Sequence, residues 1–176
     1  MELDNSSSSL RQGCVDAGSN GKQLSFARSM IFMNGPKPTN PDGISAAQTQ
    51  ELITRAREAS TKAYCPYSRF CVGAALLTTS GEIYTGCNVE NASYGLTICA
   101  ERNAIFHAVA EGNTNIKALV IYTPTERPTA PCGACRQVIN EFGPNVRVIC
   151  VCNGSEEINT TVTDLLPDAF GPNNLD

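Results

Sequence analysis

Thr97 to Phe106 reads TICAERNAIF, and Ala130 to Val138 reads APCGACRQV. Each stretch runs from a turn-like lead into a helical apolar pattern, so each is predicted to open a helix. In the first, Cys99 and Glu101 stand two apart and Arg102 follows at once. Within a helix, positions two apart point away from each other. At a helix N-terminus both side chains can still converge on a ligand beyond the end. In the second stretch, Cys132 and Cys135 have the Cys-x-x-Cys spacing, which puts two thiols on one helix face. The dipole and free N–H groups of a helix start favour thiolates there.

The elements around these two helices set the fold. Ile44 to Ala63 spaces Ala47, Leu52, Ile53, Ala56, Ala59 and Ala63 as a helix face, with Asp42 as the expected cap. AYCPYSRF is a turn-rich link, and CVGAALLTTSGEIYTGC reads as a β-hairpin turning at Ser80-Gly81. ICAERNAIFHAVAEG is helical up to Gly112, IKALVIYT is a buried strand, and CGACRQVINEF is a helix ended by Gly143-Pro144. VRVICVC is a further strand and VTDLLP a short helix. Strands that alternate with helices imply a largely parallel sheet, which the initial hairpin makes mixed. The predicted fold class is α/β, a three-layer α/β/α sandwich.

The 176 residues suit one domain of moderate size preceded by a tail. Residues 1–43 contain NSSSS, GSNG and NGPKPTNPDG, and bury too little apolar surface to offset their ordering entropy. They are expected to be a disordered N-terminal tail, with residues 44–176 forming the folded domain. The tail carries Arg11 and Arg28 against Glu2, Asp4 and Asp16, so a mitochondrial leader is not expected. No run of about eighteen apolar residues occurs, so no membrane span is expected. The net charge of -4 and the absence of a basic stripe argue against a polynucleotide partner and for a small molecule.

Nine cysteines, an odd number without a secretory signal, point to a reducing compartment with metal-bound or buried thiols rather than a disulfide framework. The expected location is cytoplasmic, with or without a nuclear pool. Cys65, Cys71, Cys87, Cys150 and Cys152 lie in or beside apolar runs and are expected to be buried as small hydrophobes.

If the two helix starts meet, Cys99, Cys132 and Cys135 can hold one zinc ion and leave its fourth position open, the mark of a catalytic site. Glu101 would stand beside the metal without binding it and carry protons between water and substrate. Three thiolates and zinc total -1 and make a weak Lewis acid. A guanidinium at Arg102 would withdraw part of that charge. Two other readings use the same cysteines. A redox pair at Cys132 and Cys135 leaves Cys99 idle, and a four-cysteine structural zinc recruiting Cys87 or Cys150 leaves Glu101 without a role. His107 lies more than two turns into its helix and is expected to be an ordinary helix residue.

CAE followed by PCGAC resembles the zinc-dependent cytidine deaminases. AYCPYSRFCVGAALLT, GCNVENASYGLTICAERNAI, PCGACRQVINEFG and LLPDAFGP together are similar to the free-nucleoside branch, covering about Ala63 to Pro172. The resemblance implies a mixed five-stranded sheet and the deamination of cytidine and 2′-deoxycytidine to the uridine forms. It implies zinc held by Cys99, Cys132 and Cys135, with Glu101 as proton shuttle. It also implies contacts of the Ala100 and Ala130 backbone with the pyrimidine. Asn88 and Glu90 of NVEN are carried over as ribose ligands, and Phe70 as a residue packing on the ring. Tyr94 and Phe170 match positions that complete a neighbouring subunit's site, which implies a homotetramer. The loop holding Gly95 and Thr97 departs from relatives. A non-catalytic zinc module, a polynucleotide-editing deaminase and a deaminase of a modified cytosine drug are the competing functions. The intact Glu101 disfavours the first, and the acidic charge with NVEN disfavours the second.

Overall fold

The computed structural model describes residues 43–171 together with Asn174 and Leu175. The expected tail therefore lies outside the described residues, apart from Gly43. Helix α1 is Ala46–Ser60, followed by strands β1, Gly73–Thr78, and β2, Ile83–Cys87. A single 3-10 turn at Tyr94–Leu96 precedes helix α2, Ala100–Ala110. Then come β3, Ile116–Tyr122, α3, Gly133–Phe142, β4, Arg147–Val151, β5, Glu157–Thr161, and the short α4, Val162–Leu165.

The five strands form one sheet in the order β2-β1-β3-β4-β5. Only β3 and β4 run parallel; the other three pairings are antiparallel. The expected largely parallel sheet is thus corrected to a mostly antiparallel one, with a single βαβ unit built on α3. Strand β5, EINTT, is absent from the pattern-based order above. It is an edge strand with no buried residue, so it lacks the apolar alternation that marks a strand. Helix α1 is capped by Ser45, whose Oγ accepts from the Gln48 N–H at 3.2 Å while Gln48 Oε1 accepts from the Ser45 N–H at 2.9 Å. Asp42, the expected cap, lies outside the described residues.

The alternation of side chains along each central strand feeds two cores. Ala74 and Leu76 of β1, Leu119 and Ile121 of β3, and Val148 and Cys150 of β4 pack with Ala104, Ile105, Ile139 and Val162 of α2, α3 and α4. Ala75, Leu77, Ala118, Val120, Ile149 and Val151 pack with Leu52 and Ala56 of α1. The result is the three-layer arrangement, with one helix on one face and three on the other.

Two glycines bring the helices against the sheet. A Cβ built on Gly73 would lie 2.0 Å from the Ala56 carbonyl oxygen of α1, and one on Gly86 would lie 2.3 Å from the Ala104 nitrogen of α2. The second approach matters for the site, because α2 carries Cys99 and Glu101 at its start.

The expectation that Cys65 and Cys71 are buried thiols is corrected: they form a disulfide. Arg69 between them takes a left-handed backbone (φ 57), and its N–H returns to the Cys65 carbonyl at 3.0 Å. The chain doubles back, bringing the two Cα atoms to 5.9 Å, within the range a disulfide spans. Cys150 and Cys152 are buried as expected, while Cys87 is half-buried with its thiol toward the Lys62 carbonyl. His107 is exposed and sets its ring edge against Tyr84 at 5.2 Å, as an ordinary helix residue.

Candidate active site

Cys99 is the N-cap residue of α2 and Cys132 that of α3, and neither caps with its side chain. Both thiols are therefore left to point at whatever lies beyond the helix ends. Cys135, in the first turn of α3, is fully buried. The three sulfurs lie within 4.8 Å of one another, and the Cys99 and Cys132 sulfurs are 4.0 Å apart. Tetrahedral zinc with bonds of about 2.3 Å needs sulfurs about 3.8 Å apart, so the cluster fits the ion with little movement. Among the described residues no further histidine, cysteine or carboxylate joins this group, which leaves a tetrahedral ion one open position.

Charge at the cluster is distributed unevenly. The Cys135 thiol, hydrogen-bonded to the Cys99 sulfur, and the neighbouring Arg102 guanidinium lower the Cys99 thiol to about 5. That same shared hydrogen bond, together with burial, drives Cys135 strongly upward. Zinc binding requires thiolates, so an incoming ion would displace whatever protons the cluster holds. Arg102 Nη2 donates to the Cys99 sulfur at 3.6 Å and to the Thr97 carbonyl at 3.1 Å. Its buried Nε has no partner among the described residues. The arginine is thus anchored to a sulfur of the cluster, as the charge argument requires. Arg102→Gln is expected to lower zinc affinity or turnover by about tenfold or more. Metal titration and steady-state rates check this, and unchanged values for both would count against it.

Glu101 is 5% exposed, a rare position for a carboxylate. Burial raises its pKa, the adjacent Cys99 thiolate adds to the rise, and a hydrogen bond with Cys135 and the Arg102 charge oppose it. A carboxyl group held above its usual range beside three thiols is placed to pick up and release a proton.

Asn88 and Glu90 lie at one end of the β-hairpin, and both meet the preceding loop. Asn88 is buried, and its Nδ2 donates to the Phe70 carbonyl at 2.8 Å while its Oδ1 accepts from the Val72 N–H at 2.8 Å. These bonds leave the amide one N–H and one lone pair. Glu90 Oε2 accepts from the N–H groups of Tyr67 and Ser68 at 2.9 and 3.2 Å, and its Oε1 accepts from the Ser68 hydroxyl. Ser68 was not singled out in the sequence. The serine lies in a turn-rich link, and only the fold brings it to a carboxylate 22 positions away. Val89 and Ile98 exchange backbone hydrogen bonds of 2.9 and 3.0 Å, which ties the Asn88–Glu90 segment to the one that carries Cys99.

Phe70 is half-buried against the sheet core. The backbone of Ala100 lies in the first turn of α2, and Ala130 two residues before Cys132. Tyr94 and Phe170 are 75% and 59% exposed, so the single chain does not fold them into its own interior. The Tyr94 ring meets that of Tyr67 at 5.9 Å, and the Phe170 carbonyl accepts from Gln137 Nε2 at 2.9 Å. Arg136 was also missed by sequence reasoning. Its Nε donates to the Pro131 carbonyl and its Nη1 to the Leu165 carbonyl, both at 2.8 Å, which fastens the lead into Cys132 to α4. Its position directly after Cys135 was the available signal.

Comparison with known proteins follows the same residues. Residues 46–152 match the family model described as the cytidine and deoxycytidylate deaminase zinc-binding region. A cytidine deaminase of Sporosarcina psychrophila is 49% identical over 127 residues, 72% of this chain and 93% of its own. One from Halalkalibacterium halodurans is 50% identical over 122 residues, 69% of this chain and 92% of its own. The crystal structure of a cytidine deaminase from Burkholderia pseudomallei superposes with a TM-score of 0.67 at 50% identity, covering 69% of this chain and 98% of that one. With Cys99, Glu101, Cys132 and Cys135 all inside the matched region, the chain belongs to the cytidine and deoxycytidylate deaminase family.

Proposed function

We propose that the chain hydrolyses the exocyclic amine of cytidine and 2′-deoxycytidine, giving uridine and 2′-deoxyuridine with release of ammonia. The observation that carries this reading is the buried Glu101 carboxyl beside three convergent thiols. A purely structural metal site has no use for it. Cys99, Cys132 and Cys135 would hold one zinc ion, which when bound supplies the Lewis acidity that activates water.

Glu101 takes a proton from the attacking water and delivers it to the ring nitrogen beside the amine-bearing carbon. It then passes a proton to the departing amine. The backbone of Ala100 and Ala130 orients the pyrimidine, and Phe70 packs on its face. Asn88 and Glu90 receive the sugar hydroxyls. Tyr94 and Phe170, exposed here, complete the site of a neighbouring subunit in a homotetramer, and their exposure supports that role. Among the described residues no helix is long and apolar enough to cross a membrane. A cytoplasmic location fits the free thiols of a zinc site.

The test is direct. Zinc-loaded protein added to cytidine should convert it to uridine, followed by the ultraviolet change, and a zinc chelator should abolish the rate. Zinc-loaded protein without turnover would sink the proposal.

A further inference from the structure

The loop CPYSRFC, Cys65 to Cys71, takes no part in the thiol cluster, yet it holds both residues read above as sugar ligands. Tyr67 and Ser68 supply the hydrogen bonds of the Glu90 carboxylate, Phe70 accepts one from the Asn88 amide, and Val72, the residue after the loop, donates the other. The loop contains neither helix nor strand, and it includes Arg69 in a left-handed conformation that a non-glycine residue keeps only when held there. Its two ends are the disulfide partners.

We propose that Cys65 and Cys71 form a reversible thiol–disulfide clasp that sets the affinity of the site's sugar side without entering the deamination chemistry. This rests on the reading of Asn88 and Glu90 as sugar ligands. The oxidant is a low-molecular-weight disulfide. Cys65, the half-buried partner, attacks one of its sulfurs as thiolate, forming a mixed disulfide and releasing one thiolate. Cys71, 3% exposed, then attacks the Cys65 sulfur and releases the second. The two protein thiols lose two protons and two electrons, and the small disulfide becomes two thiols. A dithiol reductant reverses the exchange. Closed, the clasp fixes the donors of the Glu90 carboxylate and the Phe70 carbonyl that accepts from Asn88; open, it lets the loop relax away from them.

The full-length, zinc-loaded protein, equilibrated with oxidised or with reduced glutathione, tests this. Alkylation and peptide mapping should find Cys65 linked to Cys71 in the oxidised sample and both free in the reduced one. Zinc content should be equal in the two. The KM for cytidine should rise about fivefold on reduction while kcat stays within about twofold, the signature of lost uniform binding. In Cys65→Ser, and in Cys65→Ser with Cys71→Ala, the shift should vanish. Free thiols at both positions after oxidation would overturn the proposal, as would equal KM values in the two states. The same shift in Cys65→Ser would also overturn it, by assigning the response to the metal thiols. If neither state turns over cytidine, it is the proposed function that fails. The clasp is then judged by amide exchange at Tyr67 and Ser68: slower exchange on oxidation supports it, and equal exchange overturns it.

Discussion

Glu101→Gln is expected to keep its zinc and its fold while losing about a thousandfold or more in turnover of cytidine. Glutamine has nearly the same shape but carries no exchangeable acid. The site is suited to this comparison because Glu101 stands outside the group of three thiols that could hold a metal, so removing its charge leaves that group in place. The carboxyl group is buried, and taking away a buried charge tends to stabilise a fold rather than weaken it. A large rate loss with unchanged metal content and an undiminished thermal midpoint therefore isolates proton transfer. Retained activity would mean that another group moves the proton.

Gly86→Ala is expected to destabilise the protein by about 3 kcal/mol or more, beyond the usual range for an added methyl group. The new Cβ would meet the Ala104 nitrogen at 2.3 Å, the Ala100 carbonyl oxygen at 2.6 Å and the Asn103 carbonyl carbon at 2.9 Å. All three are backbone atoms of one helix, so no side chain can swing away. Helix α2 must move off β2, and Cys99 and Glu101 move with it. Urea denaturation measures the stability, and metal titration of whatever folds reads the displaced thiol. Gly95→Ala is the control, since nothing lies within 4 Å of its Cβ and its backbone is not left-handed. A Gly86→Ala protein within about 1 kcal/mol of the parent would mean that α2 can slide on the sheet without loss.

The chemistry was more legible in the sequence than the topology. Cys99, Glu101, Arg102, Cys132 and Cys135 declare themselves by spacing at helix starts, a local property of the chain. The structure brings those two starts together. Strand direction is not local. The apolar runs of β3 and β4 resemble any buried strand, and nothing in them shows that β1 and β5 run antiparallel to their neighbours. The edge strand β5 escaped because a half-covered strand needs no apolar alternation. The Cys65–Cys71 pairing escaped because it depends on a left-handed Arg69, a backbone state that arginine does not advertise. Gly86 went unnoticed for a related reason: a glycine in a strand looks like a weak position until the helix that presses on it is seen.

The paired backbone bonds between Val89 and Ile98 have a consequence for how such a pocket can vary. The separation between the Asn88–Glu90 segment and the Cys99 thiol is set by peptide groups, which every non-proline residue possesses. Side chains at Val89 and Ile98 can therefore change without altering that span. A ligand reaching from one segment to the other meets a gauge of fixed length, whatever lines its walls. Changes in the surrounding loops, such as the one holding Gly95 and Thr97, can retune which nucleosides enter while the length they must match stays constant.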